Sequence, residues 1–213
     1  MLDKQCVLIM TSVVAEKEAI EAGLKGDERF HVRLAGVGPV EAAVATTMEL
    51  SNQSYNAVVN MGIAGGFEER AKVGSLVVAS KVILADLGVQ TEEEFKPVES
   101  IGFGQSVLSP DRTLVDRLTR TAGKSVLEAP VLTMSTVTGT SWRADELRRR
   151  YPDAAAEAME GFGVGFAALK QGLPFMEIRA ISNAIGPRDR DAWRMQDALL
   201  ALTEASHHVK EMF

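Results

Sequence analysis

A mixed α/β domain is the fold class this sequence predicts, and three observations carry that expectation. Short apolar runs of strand length alternate with helical patterns along the whole chain. No linker and no internal repeat divides it, so residues 1–213 read as a single domain long enough to bury a substantial core. The hydrophobic fraction of 46% beside 24% charged residues is that of an ordinary water-soluble globule.

Each element has its own local reason. QCVLIMT (5–11) is a continuous apolar run, a buried strand, and AEKEAIEAGL (15–24) is the helix it feeds. RFHVRLAG (29–36) alternates and predicts a second strand; GVGPVEAAVATTMEL (36–50) is a Gly-rich turn opening an Ala-rich helix. NAVVNM (56–61) predicts a third strand, broken by the glycines of GIAGG. SLVVASKVILAD (75–86) is long enough to bend or to cross between two sheet regions. TEEEF (91–95) and IGFGQ (101–105) interrupt regular structure and predict an excursion over the site. SPDRTLVDRLTRTA (109–122) carries a helix start signal, VLTMSTV (131–137) predicts a strand, and SWRADELRRR (141–150) a short helix. The closing helix is expected from about Asp189 to His208.

Charge and cysteine usage exclude several classes. A net charge of −6 lacks the basic footprint of a nucleic-acid binder. The LRRR run (147–150) ends a helix, where cations suit the carboxyl terminus, and predicts a solvated face. A single cysteine, Cys6, permits no internal disulfide and suits a reducing compartment. His31, His207 and His208 show no metal-ligand spacing, so neither a metal nor another cofactor is expected. The opening apolar run is far shorter than a membrane span and has no leader-type cleavage pattern, so a cytoplasmic protein is expected.

The most informative stretch is Ala154 to Trp193. Glu160 stands at the mouth of a small-residue helix. The chain then turns through Gly172 and Pro174 into the apolar strand PFMEIRAIS, which delivers Asn183 just before Gly186-Pro187. In open α/β sheets, strand ends and helix starts converge on the ligand crevice, so Glu160 and Asn183 are expected at one site. A carboxylate can accept from a sugar diol, and an amide can donate to and accept from a purine edge. The plainer alternative is that Glu160 only caps its helix.

This stretch resembles the family of purine nucleoside phosphorylases and methylthioadenosine/S-adenosylhomocysteine nucleosidases. The family's Met-Glu pair is followed, 23 residues after the Glu, by Asp or Asn at the end of an RAIS-type strand; Met159, Glu160 and Asn183 fit that spacing. The resemblance covers nearly the whole chain, and STVTGT (135–140), AEAMEG (156–161) and RAISNAIGPRDRDAW (179–193) are its most specific strings. It implies a twisted central sheet partly closed as a barrel and flanked by helices, an N-ribosyl hydrolase acting on a small nucleoside, and a homo-oligomer, most simply a dimer. A phosphorylase, an adenine nucleosidase and a non-catalytic nucleoside binder are the alternatives.

Cleaving an N-glycosidic bond needs a held water, a gripped sugar and a stabilised leaving base. The resemblance puts the water-binding carboxylate on Glu16, with Glu18 the competitor because the loop length there is uncertain; both could be ordinary first-turn acids. Glu160 would accept from the 2′ and 3′ hydroxyls while Met159 packs on the ribose, and Glu157 is a decoy three residues away. Asn183 would meet the base, where adenine-cleaving relatives carry Asp; an amide cannot protonate the base and leans toward a 6-oxopurine. Gly-rich GVGP (36–39) and MGIAGGF (61–67) expose backbone N–H groups, and Ile63, Ala64 and Gly65, with Gly139 and Thr140 of STVTGT, are implied substrate contacts. Where phosphorylases have a phosphate-binding Arg this chain has Asn60, which favours water as nucleophile. Trp193 matches an aromatic lid, and Arg188 or Arg190 could meet an anion on the substrate's 5′ side, unless Arg-Asp-Arg-Asp is a self-paired surface turn. Phe95 and Phe103 lie in the excursion that in the family reaches a neighbouring subunit's site.

Overall fold

The computed structural model describes residues 5–189 and 191–213. Chain order is β1 (Val7–Thr11), α1 (Val14–Leu24), β2 (Phe30–Leu34), α2 (Pro39–Asn52), β3 (Ala57–Gly66) and β4 (Leu76–Leu84). A small hairpin, β5 (Gly88–Gln90) with β6 (Phe95–Pro97), precedes β7 (Val107–Leu108), α3 (Arg112–Ala122) and β8 (Val126–Thr133). Then follow α4 (Ser141–Arg150), β9 (Ala156–Ala158), α5 (Gly161–Lys170), β10 (Phe175–Ala184) and α6 (Met195–Met212).

Five strands close on themselves. β3 pairs in parallel with β10, β10 antiparallel with β4, β4 in parallel with β8, β8 in parallel with β9, and β9 antiparallel with β3. β1 and β2 extend the ring from the lower half of β3, both in parallel, and β7 adds to the upper half of β4. The fold is therefore the mixed, barrel-closed α/β sheet that the resemblance implied. One apolar layer packs β1, β3 and β10 against α1, α3 and α6; a second packs the other face against α2 and α5.

The third strand is not broken at GIAGG: β3 runs straight through it to Gly66. These glycines serve close approach rather than a turn. A Cβ on Gly66 would stand 2.3 Å from the carbonyl oxygen of Ala71, and one on Gly62 would stand 2.9 Å from Glu16 Oε1. Small residues let the strand bend where the ring closes. The long fourth strand does bend, with a register shift between Ala79 and Val82. β8 starts five residues before the expected Val131, because Pro130 falls opposite that irregularity, where no ladder N–H is needed. The closing helix begins at Met195, not Asp189: the Arg194 N–H donates to the Ser182 carbonyl at 2.8 Å and holds the preceding segment across the sheet end. Among the described residues no helix is long and apolar enough to cross a membrane.

The LRRR face is only partly solvated. Leu147 is buried, and the Arg150 guanidinium lies 4.2 Å from the Phe95 ring centroid and donates to the Ala85 carbonyl at 3.2 Å. Stacking on the excursion's aromatic overrides the general preference of a helix-end cation for water.

Candidate active site

The carboxyl ends of β1, β3 and β10 meet β9 and the amino end of α1 around a cleft of about 360 Å³. Glu16, Glu157, Met159, Glu160, Asn183 and Trp193 all line it. Its two ends differ in character.

At one end, Glu16 is 2% exposed and accepts four hydrogen bonds. Oε2 takes the Thr11 hydroxyl (3.0 Å) and the N–H groups of Ser12 (3.0 Å) and Val13 (3.1 Å). Oε1 takes only the Ile63 N–H, at 2.8 Å. A carboxylate offers about four lone-pair sites, so Oε1 keeps capacity for one more donor. The carboxylate thus caps its own helix and also faces the cleft; the two expectations for it coexist. Glu18 is exposed on the opposite side of α1.

Behind Glu16 lies a buried ionic cluster that comes from β10. Arg179, 1% exposed, donates from Nε to Glu177 Oε1 at 2.7 Å and pairs through Nη2 with Glu160 Oε2 at 3.4 Å. Burial alone would depress the guanidinium's pKa, but the carboxylates of Glu177, Glu160 and Glu16 outweigh it and push the pKa up. Glu177 is wholly buried, and that desolvation pushes its carboxyl above the usual range despite Arg179. Asn60 belongs to this layer, not to the cleft wall. In the orientation that satisfies both ends of its amide, its nitrogen donates to the Met10 carbonyl (3.0 Å) and its oxygen accepts from Arg179 Nη2 (2.6 Å). The residue standing where phosphorylases have a phosphate-binding Arg is therefore a prop for a different Arg.

Glu160, 5% exposed, also accepts from the Gly38 N–H at 3.4 Å, which brings the GVGP turn to the cleft. No side-chain capping bond from Glu160 to α5 is formed, so the plain capping alternative does not hold. Met159 and the backbone of Ile63, Ala64 and Gly65 complete the central wall.

At the other end, Asn183 is half-buried. Its Oδ1 accepts from the Ser182 hydroxyl at 2.9 Å and its Nδ2 donates to the Ala184 carbonyl at 2.9 Å. Trp193 is half-buried beside it, and a smaller annex of about 90 Å³ opens between Asn183, Pro187, Arg188 and Trp193. Arg188 is exposed, with its guanidinium 5.7 Å from the Trp193 ring centroid. Arg190 lies outside the described residues. Gly139 and Thr140 are not brought to the cleft: Thr140 instead accepts from the Arg143 N–H and caps α4. Their neighbours Val137 and Thr138 line the cleft in their stead.

Sequence reasoning missed Arg179 and Glu177. The signal was present: two opposite charges two apart in an otherwise apolar strand must share one face, and charges there are buried in pairs.

Three comparisons bear on this geometry. The model of the Phosphorylase superfamily matches residues 10–212. A futalosine hydrolase of Streptomyces coelicolor is 51% identical over an alignment covering 80% of this chain and 74% of that protein. A futalosine hydrolase of Acidothermus cellulolyticus is 41% identical, covering 93% of this chain and 87% of that one. Among solved structures, futalosine hydrolase of Helicobacter pylori superposes with a TM-score of 0.85 over 97% of this chain and 98% of that one, at 17% identity, a likeness of fold.

Proposed function

The chain belongs to the Phosphorylase superfamily, and from that premise we propose that it is an N-ribosyl hydrolase. It cleaves the N-glycosidic bond of futalosine, releasing hypoxanthine and dehypoxanthine futalosine on the route to menaquinone, in the cytoplasm. The observation that carries the hydrolytic assignment is the buried end of the cleft. Arg179 is already shared between Glu177 and Glu160, and no Lys or Arg lines the cleft among the described residues. A phosphate nucleophile entering beside Glu16 would add negative charge next to buried carboxylates without a free cation, which is costly. Water meets no such penalty.

Three roles follow. Glu16 Oε1 takes the proton of a water held on the anomeric face. Glu160 accepts from the ribose 2′ and 3′ hydroxyls and sets a negative charge beside the developing oxocarbenium, with Met159 against the apolar sugar face. Asn183 donates to the 6-oxo group and accepts from a protonated N7. It cannot act as an acid, and a base that spreads its leaving charge onto oxygen has less need of one, which disfavours an adenine nucleosidase. Trp193 covers the bound nucleoside, and Arg188 or Arg190 meets the carboxylate on the 5′ side.

The active form is a homodimer. Val40, Val44 and Met48 form an exposed i, i+4, i+8 stripe on α2, 77%, 56% and 60% exposed, beside the exposed Val37 and Val13 of the cleft mouth. A second copy on this face would cover the stripe. Light scattering of the purified chain should give twice its monomer mass. A panel of futalosine, inosine and methylthioadenosine, read by base release, tests the function: hypoxanthine from futalosine supports it, and release of adenine from methylthioadenosine alone overturns it.

A further inference from the structure

Glu157 has no role in the scheme above, yet its carboxylate lines the same cleft while being only 6% exposed. Its position in the sheet is specific. Gly65 of β3 pairs with Asn183 of β10 on one side and with Glu157 of β9 on the other. The two polar residues therefore flank one glycine, with backbones about two strand spacings, roughly 10 Å, apart. Gly65 lets the apolar Ile185 side chain and the Asn183 amide close in over the strand between them, where a Cβ would fall 2.9 Å from Ile185 and 3.4 Å from Asn183 Nδ2.

The carboxylate is also oriented. Its Oε1 accepts from the Thr138 N–H at 2.8 Å and its Oε2 from the Thr138 hydroxyl at 2.5 Å. Each oxygen retains a lone pair, and no Lys or Arg is paired with Glu157 among the described residues. Burial pushes its carboxyl above the usual range, against the two Thr138 donors. A buried carboxylate so placed is completed by one further N–H donor from the cleft.

We propose that Glu157 is that donor's acceptor: it takes the N1–H of a 6-oxopurine and, with Asn183 on the 6-oxo and N7 edge, selects this base over a 6-aminopurine. The assignment rests on the nucleosidase reading above and deepens it. In the 6-oxopurine N1–H donates and O6 accepts along one edge, and N7 accepts until it is protonated as the base leaves, when it donates to Asn183. In adenine N1 is an acceptor, so its lone pair would face the Glu157 carboxylate and leave both unpaired. Glu157→Gln exchanges that acceptor for an amide that can donate to an adenine N1 while still meeting Thr138.

The test uses the full chain and two readouts. In the first, kcat/KM is compared for futalosine and its 6-amino counterpart, in wild type and Glu157→Gln. The preference for the 6-oxo substrate should fall roughly 10- to 100-fold, the worth of one charge-assisted hydrogen bond. If Glu157 only pins the 135–140 loop through Thr138, both substrates will lose rate in the same proportion, and the proposal is overturned. In the second, wild-type protein alone is titrated calorimetrically with hypoxanthine and 1-deazahypoxanthine, which lacks the N1–H, so the folding of a variant does not matter. A roughly 10- to 100-fold weaker affinity for the deaza base supports the proposal, and equal affinities overturn it. If futalosine is not hydrolysed at all, the futalosine assignment falls while this base comparison still decides Glu157.

Discussion

The two ends of the cleft are built on opposite principles. At the sugar end, Glu16, Glu160, Glu177 and Arg179 are each 5% exposed or less; Glu16, Glu160 and Arg179 are each held in part by another element, and Glu177 is paired with Arg179. At the far end of the base side, Asn183 and Trp193 are half-buried and Arg188 is exposed, held by neighbours in sequence and by one ring contact. Bond cleavage gains from charges fixed before the substrate arrives, since nothing must then reorganise in the transition state. Recognition of a long 5′ extension gains from a rim that can adjust. On the proposed assignment, the reacting carboxylates Glu16 and Glu160 stand at helix starts over the buried Arg179 of β10, and the 5′ extension is met by the segment after β10.

Breaking the fixed end should have the largest effect. Glu16→Gln can keep the three Oε2 donors on its carbonyl and loses only the Ile63 N–H bond, so the protein should fold, yet turnover should drop at least about 100-fold for want of a base. Glu18→Gln should leave turnover unchanged; the reverse pattern would move the base to Glu18. Arg179→Met tests the same end through stability. It leaves three buried carboxylates without their cation, and urea unfolding should show a loss of about 3–5 kcal/mol. A loss under 1 kcal/mol would mean that the cluster is not the rigid floor described above.

The adjustable end should respond more gently. Arg188→Gln should lower the preference for futalosine over its uncharged methyl ester roughly tenfold, with little change in thermal stability. Unchanged selectivity with lower stability would make this segment a structural turn. The smallest effect lies far from the cleft. Asp27 is held down to about 2 by its hydrogen bonds from Arg29, against desolvation and with Lys210 adding to it. This folded value is below the ordinary 3.8, so its stabilisation is present above that pH and is lost as pH falls toward about 2. Asp27→Asn should cost about 1 kcal/mol at neutral pH, and the difference from wild type should close below about pH 2.

What the sequence made legible follows the same division. Local patterns carried most of the strands and helices, because apolar runs and capping signals are short-range. Glu160 and Asn183 were expected at one site from local pattern and Met159 from the family resemblance, and all three line the cleft. The run-through of β3 was missed because Gly-rich strings signal turns locally, and only ring closure, a long-range event, makes them strand. Asn60 was read only as the absence of a phosphate-binding Arg; its partners Met10 and Arg179 lie on other strands, invisible in sequence. Gly139 and Thr140 were placed one or two residues too far along, since the cap of α4 decides where that loop turns away. Glu157 read as a decoy because its neighbour across the sheet, Gly65, is 92 residues distant.

The central claim is that the buried end of the cleft activates water and excludes phosphate. The most direct measurement is hypoxanthine release from futalosine by wild-type protein, with and without millimolar phosphate, and with the sugar product identified. The account predicts equal rates and a free anomeric hydroxyl on the product. A rate that rises with phosphate, with a ribose 1-phosphate as product, would contradict it.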